Sequence, residues 1–579
     1  MMSANGLPIT VEKVTADVVV VGGGGAASRA ALSARQAGAN VRLLTKAPLQ
    51  TGGSTVHGAS EIMSMGAAGF GDALDSTEIH YQDTMRAGRG FIDAALVRVL
   101  AEDAPERITD LMDLGVTLDR SGDGSLKLIR SDFGSYARAL GVSGKTGKAF
   151  VTAISEALVR SGVQIDAPVM LVDLIRDADG AVAGVLGYDP ARKILIHYEA
   201  PSVVMGTGGI HGVYQQQVST SEMTGDGQAI CFRHGAEMVN LEFHQVGSAL
   251  IHPYVQLFSG SCFSLHPKML NARGEEFLPS YLPDGVTVDE VYEKKQFPFT
   301  TTNVSRFLDI AMAHEIAEGR GTERGAVLFS FADVPEARIA EVMPNTARWM
   351  RDRGIDPKTD KLEVGVAFQC MNGGVRMTGA DAQSSIPGLY VIGELAGGVR
   401  GPDRPGGNSL AEGQVFGHRA GTAAAERSRG AKAEKAATLE ETFAMLSRAF
   451  APRNHTLDTE AVAGKIRETM QRDCLVEKSA DGLNRAIRVM SDVRSLLEND
   501  LHVSPETLLQ GLSVRNMAQT SELVLRACLN RDETRSAHYR LDHPESGGEA
   551  YAHSFVMRRD GNGIEVKPLH YDTPASKAL

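Results

Sequence analysis

The feature that most constrains this chain is a run of β-branched residues that stops on glycine. Residues 17–21 read Asp-Val-Val-Val-Val, followed by four glycines, Gly22 to Gly25, then Ala26-Ala27 and an Ala-rich stretch that reaches Gly38. A continuous apolar strand of this kind is buried on both faces, as in a parallel sheet. The Ala-rich stretch predicts a helix over Ala26 to Gly38, with the final glycine suited to a C-cap, and Asn40 to Thr45 predicts a second strand. The glycines fit G-x-G-x-x-A between strand and helix, where bare backbone can approach a pyrophosphate at the positive helix end. An NAD site would place an acidic residue at the end of the second strand to hold the ribose. That strand ends in Thr45-Lys46, so NAD is disfavoured and another dinucleotide is favoured.

One such unit cannot account for 579 residues, which call for two to four domains. Strand-like signals return at Ser202–Met205, before Gly206-Thr207-Gly208-Gly209, and at Leu389–Ile392, before Gly393-Glu394. The sheet is therefore expected to be assembled from distant segments. The predicted fold is an α/β Rossmann-like dinucleotide domain formed by residues 1–247 and 356–430. An inserted α+β domain over 248–355, richer in Pro and aromatics, is expected to hinge over it. Beyond 431 the sequence turns long and amphipathic, at Ala431–Ala451, Glu460–Arg472, Ala480–Leu501 and Pro505–Asn530, which predicts a helical C-terminal domain over 431–579.

Several function classes are disfavoured. The net charge is −12, with scattered Lys and Arg, so nucleic acid is not an expected partner. The five cysteines, Cys231, Cys262, Cys370, Cys474 and Cys528, contain no C-x-x-C pair. Neither a zinc nor an iron–sulfur site is expected, and any cluster would sit in another chain. No stretch approaches the roughly 20 apolar residues that cross a bilayer, and Met1 to Thr15 lacks a leader pattern, so a cytoplasmic protein with reduced thiols is expected.

Downstream of the glycines a set of motifs occurs in order: Thr45-Lys46, Gly52-Gly53-Ser54-Thr55, Thr224-Gly225-Asp226-Gly227, Asn240-Leu241-Glu242-Phe243, Pro387 to Glu394, Arg404 to Leu410, and Glu533 to Arg540. With Val41–Met65, this set resembles the flavoprotein subunits of succinate dehydrogenase and fumarate reductase together with L-aspartate oxidase, over nearly the whole chain. The resemblance implies FAD, held by an FAD-binding domain, a mobile capping domain and a helical C-terminal domain. It implies Gly22, Gly24, Gly25, Ala26 and Ala27 at the pyrophosphate, Lys46 and Ser54 near the flavin, Asp226 and Glu394 on sugar hydroxyls, and Ser409 and Leu410 beside the isoalloxazine. Thr45, Gly53, Thr55, Gly208 and Asn408 are further implied cofactor contacts.

In members of the family that form membrane complexes, a His precedes the Thr-Val of this loop and is joined covalently to FAD. Here Ser54 precedes Thr55-Val56, as in the soluble members, so the FAD is expected to be non-covalent. His57, three residues on, is expected to hydrogen-bond within its loop rather than to carry the flavin. The family reaction moves a hydride between a substrate carbon and the flavin while a capping-domain Arg transfers a proton. Arg306 takes that position if one residue is deleted, and Ser305 takes it without the gap; the alternative for Arg306 is a surface cation on a helix. Arg404 matches without gaps, and its planar guanidinium suits a two-pronged grip on a substrate carboxylate.

The departures are as informative. The family's Gln-Phe-His-Pro segment reads Gln245-Val246-Gly247-Ser248, and the His before the second Gly-Gly reads Gln369. The Arg-Gly-Glu-Gly stretch is replaced by Phe263-Ser264-Leu265-His266, and the pocket Thr by Ser259. His244 and His252 lie nearby, as substitute donors or as packing residues. A site that loses two cationic donors discriminates against a second carboxylate, so the expected substrate is a small carboxylate other than fumarate or succinate. The leading expectation is an FAD oxidoreductase that adds or removes hydrogen across a carbon–carbon bond beside a carboxylate or carbonyl. The alternatives are amine oxidation like that of L-aspartate oxidase, or a flavoprotein subunit that passes electrons to a separate iron–sulfur or ferredoxin-like partner.

Overall fold

Burial on every side chain of Val18–Val21 (β1) follows from its place in the middle of a sheet, with a parallel neighbour on each edge. The computed structural model describes residues 7–295, 297–431, 435–453, 457–561 and 563–571. From β1 the chain passes through Gly25–Gln36 (α1) to Val41–Leu44 (β2), and the short helix Ser54–His57 (α2) follows. Gln164–Asp166 (β3), Ser202–Met205 (β4) and the later strand Leu389–Val391 complete five parallel strands, in the order 389–391, β4, β1, β2, β3. The central position of β1 puts its C-terminal end, and the glycines after it, at the middle of one sheet edge, where open α/β sheets bind ligands.

Helix α1 packs chiefly on Asn408–Ser428, and the approach is close because glycines face it. A Cβ at Gly421 would lie 2.2 Å from the Ala30 carbonyl oxygen, and one at Gly417 would lie 2.6 Å from that of Ala26. Adding a methyl at either place overpacks the contact, a change that costs about 1–3 kcal/mol. The same contact fixes where the 408–428 helix begins, and so fixes the loop ahead of it that carries Arg404.

After Asp226–Arg233 (α3) the chain enters a second sheet. His244–Leu250 (β5) pairs antiparallel with Leu362–Met371, from His244 opposite Met371 to Leu250 opposite Val364, and β5 runs through the expected 247/248 boundary. Val327–Ser330 and Lys268–Leu270 extend this sheet on the far side, and Arg306–Ala317 (α4) packs on it. The long strand Leu362–Met371 (β6) brings the chain back, and Asn408–Ser428 is α5.

The C-terminal helices are Leu439–Phe450 (α6), Thr459–Cys474 (α7), Ala480–Asp500 (α8) and Leu508–Asn530 (α9). Each lies within two or three residues of a predicted helix except the first, which starts eight residues later than expected; residues 432–434 lie outside the described set. Beyond α9 the helical pattern ends. A hairpin, Ser554–Asp560 with Gly563–Leu569, adds to the sheet containing Met238–Val239, so the C-terminal region closes on the first domain with strands. The expected helical region holds through α9, and the strands added after it carry the β-prone run Phe555-Val556-Met557 and the alternating Ile564-Glu565-Val566-Lys567.

Candidate active site

A deep cavity runs from the glycines after β1, under the second sheet, to the loop before α5. Its near end is made by the β1–α1 turn. Gly22 has φ of 122°, and a Cβ there would meet the Gly206 carbonyl oxygen at 2.3 Å, so the turn demands glycine. Gly24 differs. A Cβ on Gly24 would find nothing closer than the Thr55 Oγ1 at 3.6 Å, because this glycine faces the open cavity. Gly25, the first residue of α1, donates its N–H to Thr55 Oγ1 at 3.3 Å. A helix N-terminus behind a bare glycine is a ready seat for a pyrophosphate, and these residues fit a dinucleotide.

Farther in, two carboxylates line the walls. Asp226 begins α3; its Oδ2 receives hydrogen bonds from Lys46 Nζ at 3.0 Å and Thr224 Oγ1 at 3.1 Å. Lys46 is thereby turned to protein partners, Thr224 and Ser513 among them, and holds Asp226 in place. Glu394 Oε1 accepts the Met371 N–H at 3.0 Å, while its Oε2 has, among the described residues, only the long contact of 3.5 Å with Ser54 Oγ. That oxygen keeps capacity for a ligand hydroxyl. His57 is exposed and bonds the Thr51 carbonyl at 2.7 Å, away from the cavity.

The far end is polar and under-satisfied. Arg404, buried in the loop before α5, donates Nη2 to Gln245 Oε1 at 2.9 Å and Nη1 to the Pro405 carbonyl at 3.3 Å. Among the described residues its Nε has no hydrogen-bond partner, and neither do Gln245 Nε2, Gln369 Oε1 or Ser259 Oγ, all buried atoms. Buried polar atoms are rarely left so, at a cost of about 1–3 kcal/mol each, and four around one cavity end mark where a ligand completes the bonding. Cys370, whose thiol contacts Gln245 Oε1 at 3.2 Å, is pushed up to about 11 by burial, which leaves it a neutral donor.

Asp132 also lines this end, and burial raises its carboxyl to about 6, against the opposing pull of Lys295. Lys295 is itself buried in an ion pair with Asp309, which accepts the Ser248 hydroxyl at 3.0 Å. Beside Gly247 stands the ring of Phe297: a Cβ on the glycine would lie 2.3 Å from it. An aromatic ring thus fills the space beside Gly247, where the family resemblance places an imidazole.

Of the residues singled out in the sequence, the cavity wall brings together Gly22, Gly24, Gly25, Ala26, Thr45, Lys46, Gly53, Ser54, Thr55, Gly208, Asp226, Ser259, Gln369, Glu394, Arg404, Ser409 and Leu410. Five lie off it. Ala27 packs in the core under α1, and Asn408 is tied to His80 and Thr84. His244 is buried behind Phe368, donates Nε2–H to the Leu475 carbonyl, and is pushed down to about 3 by burial, so it packs as a neutral ring. His252 is exposed. Arg306 opens α4 with its guanidinium on the Thr301 carbonyl at 3.3 Å and over the Phe307 ring. Sequence reasoning passed over Asp132 and Phe297, since an Asp before Phe133-Gly134 and a Phe before Pro298 carry no motif.

Known proteins share both the sequence pattern and this architecture. The family model described as "FAD binding domain" matches residues 17–410, and the one described as "Fumarate reductase flavoprotein C-term" matches 463–578. One subunit of the fumarate reductase (CoM/CoB) of Methanothermobacter marburgensis is 32% identical over 505 residues, covering 84% of this chain and 87% of the relative. L-aspartate oxidase of Streptomyces coelicolor is 31% identical over 572 residues, covering 94% and 92%. The solved structure of Mycobacterium smegmatis Sdh1 aligns with a TM-score of 0.84 at 26% identity, over 97% of this chain and 95% of that one.

Proposed function

Since the chain belongs to the FAD-dependent family of fumarate reductase and succinate dehydrogenase flavoproteins and L-aspartate oxidases, we propose that it adds or removes hydrogen across a carbon–carbon bond beside a single carboxylate or carbonyl. The observation that carries this reading is the far end of the cavity, where Arg404 is bonded to the neutral Gln245 and shares the wall with the neutral Gln369 and Ser259, while the other guanidinium of the wall, Arg400, is committed to Glu412 and to the carbonyls of Met371, Gly393 and Ala396. One cation grips one carboxylate. The ring of Phe297 beside Gly247 supports an apolar or uncharged group at the other end of the substrate, because a second carboxylate there would be desolvated without a partner.

FAD supplies the two-electron acceptor or donor. Gly22, Gly24, Gly25 and Ala26 would hold its pyrophosphate, with Asp226 and Glu394 on hydroxyls and Ser409 and Leu410 beside the ring. Ser54, in place of a histidine, supports a non-covalent flavin. Arg404 orients the substrate. We assign the proton to Asp132 in preference to Arg306, because Asp132 lines the cavity and its carboxyl, near 6, changes form close to neutral pH. The nearby positive charge of Lys295 favours the ionised form once the proton has left.

The relative named as a subunit supports a separate chain that carries electrons to or from this one, the reading to be preferred over direct oxygen use if the reduced protein reoxidises slowly in air. The substrate reading is tested by reducing the flavin anaerobically with dithionite and offering fumarate, crotonate and longer 2-enoates. Reoxidation by a monocarboxylic enoate at least tenfold faster than by fumarate is the expected result; faster reoxidation by fumarate would sink the proposal.

A further inference from the structure

A second cavity, of about 910 Å³, opens between the C-terminal end of α3, helices α8 and α9, and the C-terminal hairpin. Its wall carries five arginines, Arg233, Arg494, Arg515, Arg526 and Arg559, against three acids. The acids are already engaged. Glu522 pairs with Arg494 and Arg526, Glu498 lies 3.9 Å from Arg494, and Asp532 lies 3.5 Å from Arg540. The other three guanidinium groups have no carboxylate in contact among the described residues. Arg233 spends its Nη1 on the neutral amides of Asn516 and Gln519, at 3.0 and 2.7 Å. Arg559 donates to the carbonyls of Arg233 and Gly561. Arg515 makes no hydrogen bond or ion pair to a described residue.

Like charges gathered without a counter-charge in contact oppose one another. Burial, followed by the repulsion of Arg515, holds the Arg233 guanidinium down at about 9, and burial likewise lowers Arg515. Asp173 attracts both from a distance, with Asp226 adding to it on Arg233 and Glu498 on Arg515, but none of these carboxylates is in contact with either guanidinium, and Asp173 stands off the cavity wall, bound to His234 and Thr442. A fold that keeps such groups together with no acid on them is poised for an anion, as guanidinium forks match oxyanions in shape as well as charge.

We propose that this cavity binds an organic phosphate, with Arg233 and Arg515 on the phosphoryl oxygens and Arg559 closing the mouth. A phosphoryl group fits better than a carboxylate because it brings about −1.5 to −2 charge and three acceptor oxygens to three cations that have no carboxylate in contact among the described residues. The cavity is also far larger than a bare phosphate ion, and Leu497, Leu523, Ile564 and Val566 give it an aliphatic wall, which a sugar or base can cover.

The test uses the flavin-loaded full chain, so that the first cavity is filled, and titrates ADP, inorganic phosphate and acetate by calorimetry at low salt. ADP is expected to bind with at least tenfold higher affinity than phosphate, and acetate not at all. Arg515→Glu is expected to weaken ADP at least tenfold with the flavin spectrum and content unchanged, and Arg559→Gln, at an exposed position that tolerates substitution, to weaken it severalfold. No binding of ADP, or binding untouched by both substitutions, overturns the proposal. Equal affinity for phosphate and ADP overturns the organic part of it.

Discussion

Asn516, on α9, donates its Nδ2–H to Asp226 Oδ1 at 2.8 Å and accepts Arg233 Nη1 on its Oδ1 at 3.0 Å. One buried amide thus holds both ends of α3, the acidic one in the first cavity and the basic one in the second. With Lys46 on the other carboxylate oxygen, Asp226 is fixed before any ligand arrives, and fixed groups lose less entropy on binding.

Asn516→Leu should therefore lower FAD occupancy without unfolding the chain. Leaving Asp226 and Arg233 each short of a buried partner costs about 1–3 kcal/mol per group, and the part that falls on Asp226 loosens the cofactor by roughly tenfold. The measurement is the ratio of flavin to protein absorbance after dialysis. Wild-type retention would show that Asp226 needs no support from α9.

The two glycines of the β1–α1 turn should fail differently. Gly22→Val places carbon against the Gly206 carbonyl and asks a branched residue to take φ of 122°, so it should misfold or lower Tm by several degrees even without cofactor. At Gly24 an added Cβ makes only an ordinary contact, with Thr55 Oγ1 at 3.6 Å, so the Gly24→Val apoprotein should melt within a few degrees of wild type while its flavin content collapses. Equal thermal shifts for the two apoproteins would contradict this division of roles.

Asp132 links the cavity to pH. Burial raises its carboxyl from 3.8 to about 6, so the folded state binds this proton more tightly than the unfolded state does. As pH rises through about 4 to 6, stability falls; above that window the cost is fully present, up to about 3 kcal/mol for a carboxyl raised this far. Asp132→Asn should remove the cost, raising Tm at pH 7.5 but not at pH 3.5, while turnover falls by about 10²-fold or more. Higher stability with unchanged turnover would leave Asp132 a packed carboxyl with no part in proton transfer.

Much of the cofactor end was legible in sequence, because it rests on local rules. β-branched residues before glycine make a buried strand and a tight turn, and Gly22, Thr45, Asp226 and Glu394, far apart in the chain, line one cavity. The substrate end was less legible. Whether Gln245 meets Arg404 depends on the pairing of β5 with β6 and on the loop before α5, segments more than 100 residues apart, and no spacing in the sequence encodes it. Arg306 and His252 look chemical when read as letters, yet α4 turns the first to a carbonyl and the second is exposed. In the hairpin after α9 only the second strand alternates, at Ile564-Glu565-Val566-Lys567, while the first groups Phe555-Val556-Met557 ahead of Arg558-Arg559-Asp560, so period two marks half of it.

Phe297 bears on the most direct test of the substrate assignment. By sequence alone, Gly247→His with Gln369→His should restore two cationic donors and raise activity on fumarate. The space for the first imidazole is taken, since even a Cβ on Gly247 would lie 2.3 Å from the Phe297 ring. The pair of substitutions alone should therefore destabilise the chain by about 1–3 kcal/mol through overpacking and gain no fumarate turnover. Adding Phe297→Ala vacates the ring's place. The triple variant should then reoxidise the reduced flavin with fumarate measurably faster than either the double variant or Phe297→Ala by itself. At least a tenfold gain is expected, because a charge-assisted bond to a buried carboxylate contributes about 1.5–3 kcal/mol. Fumarate turnover that rises in the double variant as much as in the triple would mean that Phe297 swings clear of Gly247 during the reaction, and the single-carboxylate reading would then lose the observation that supports it.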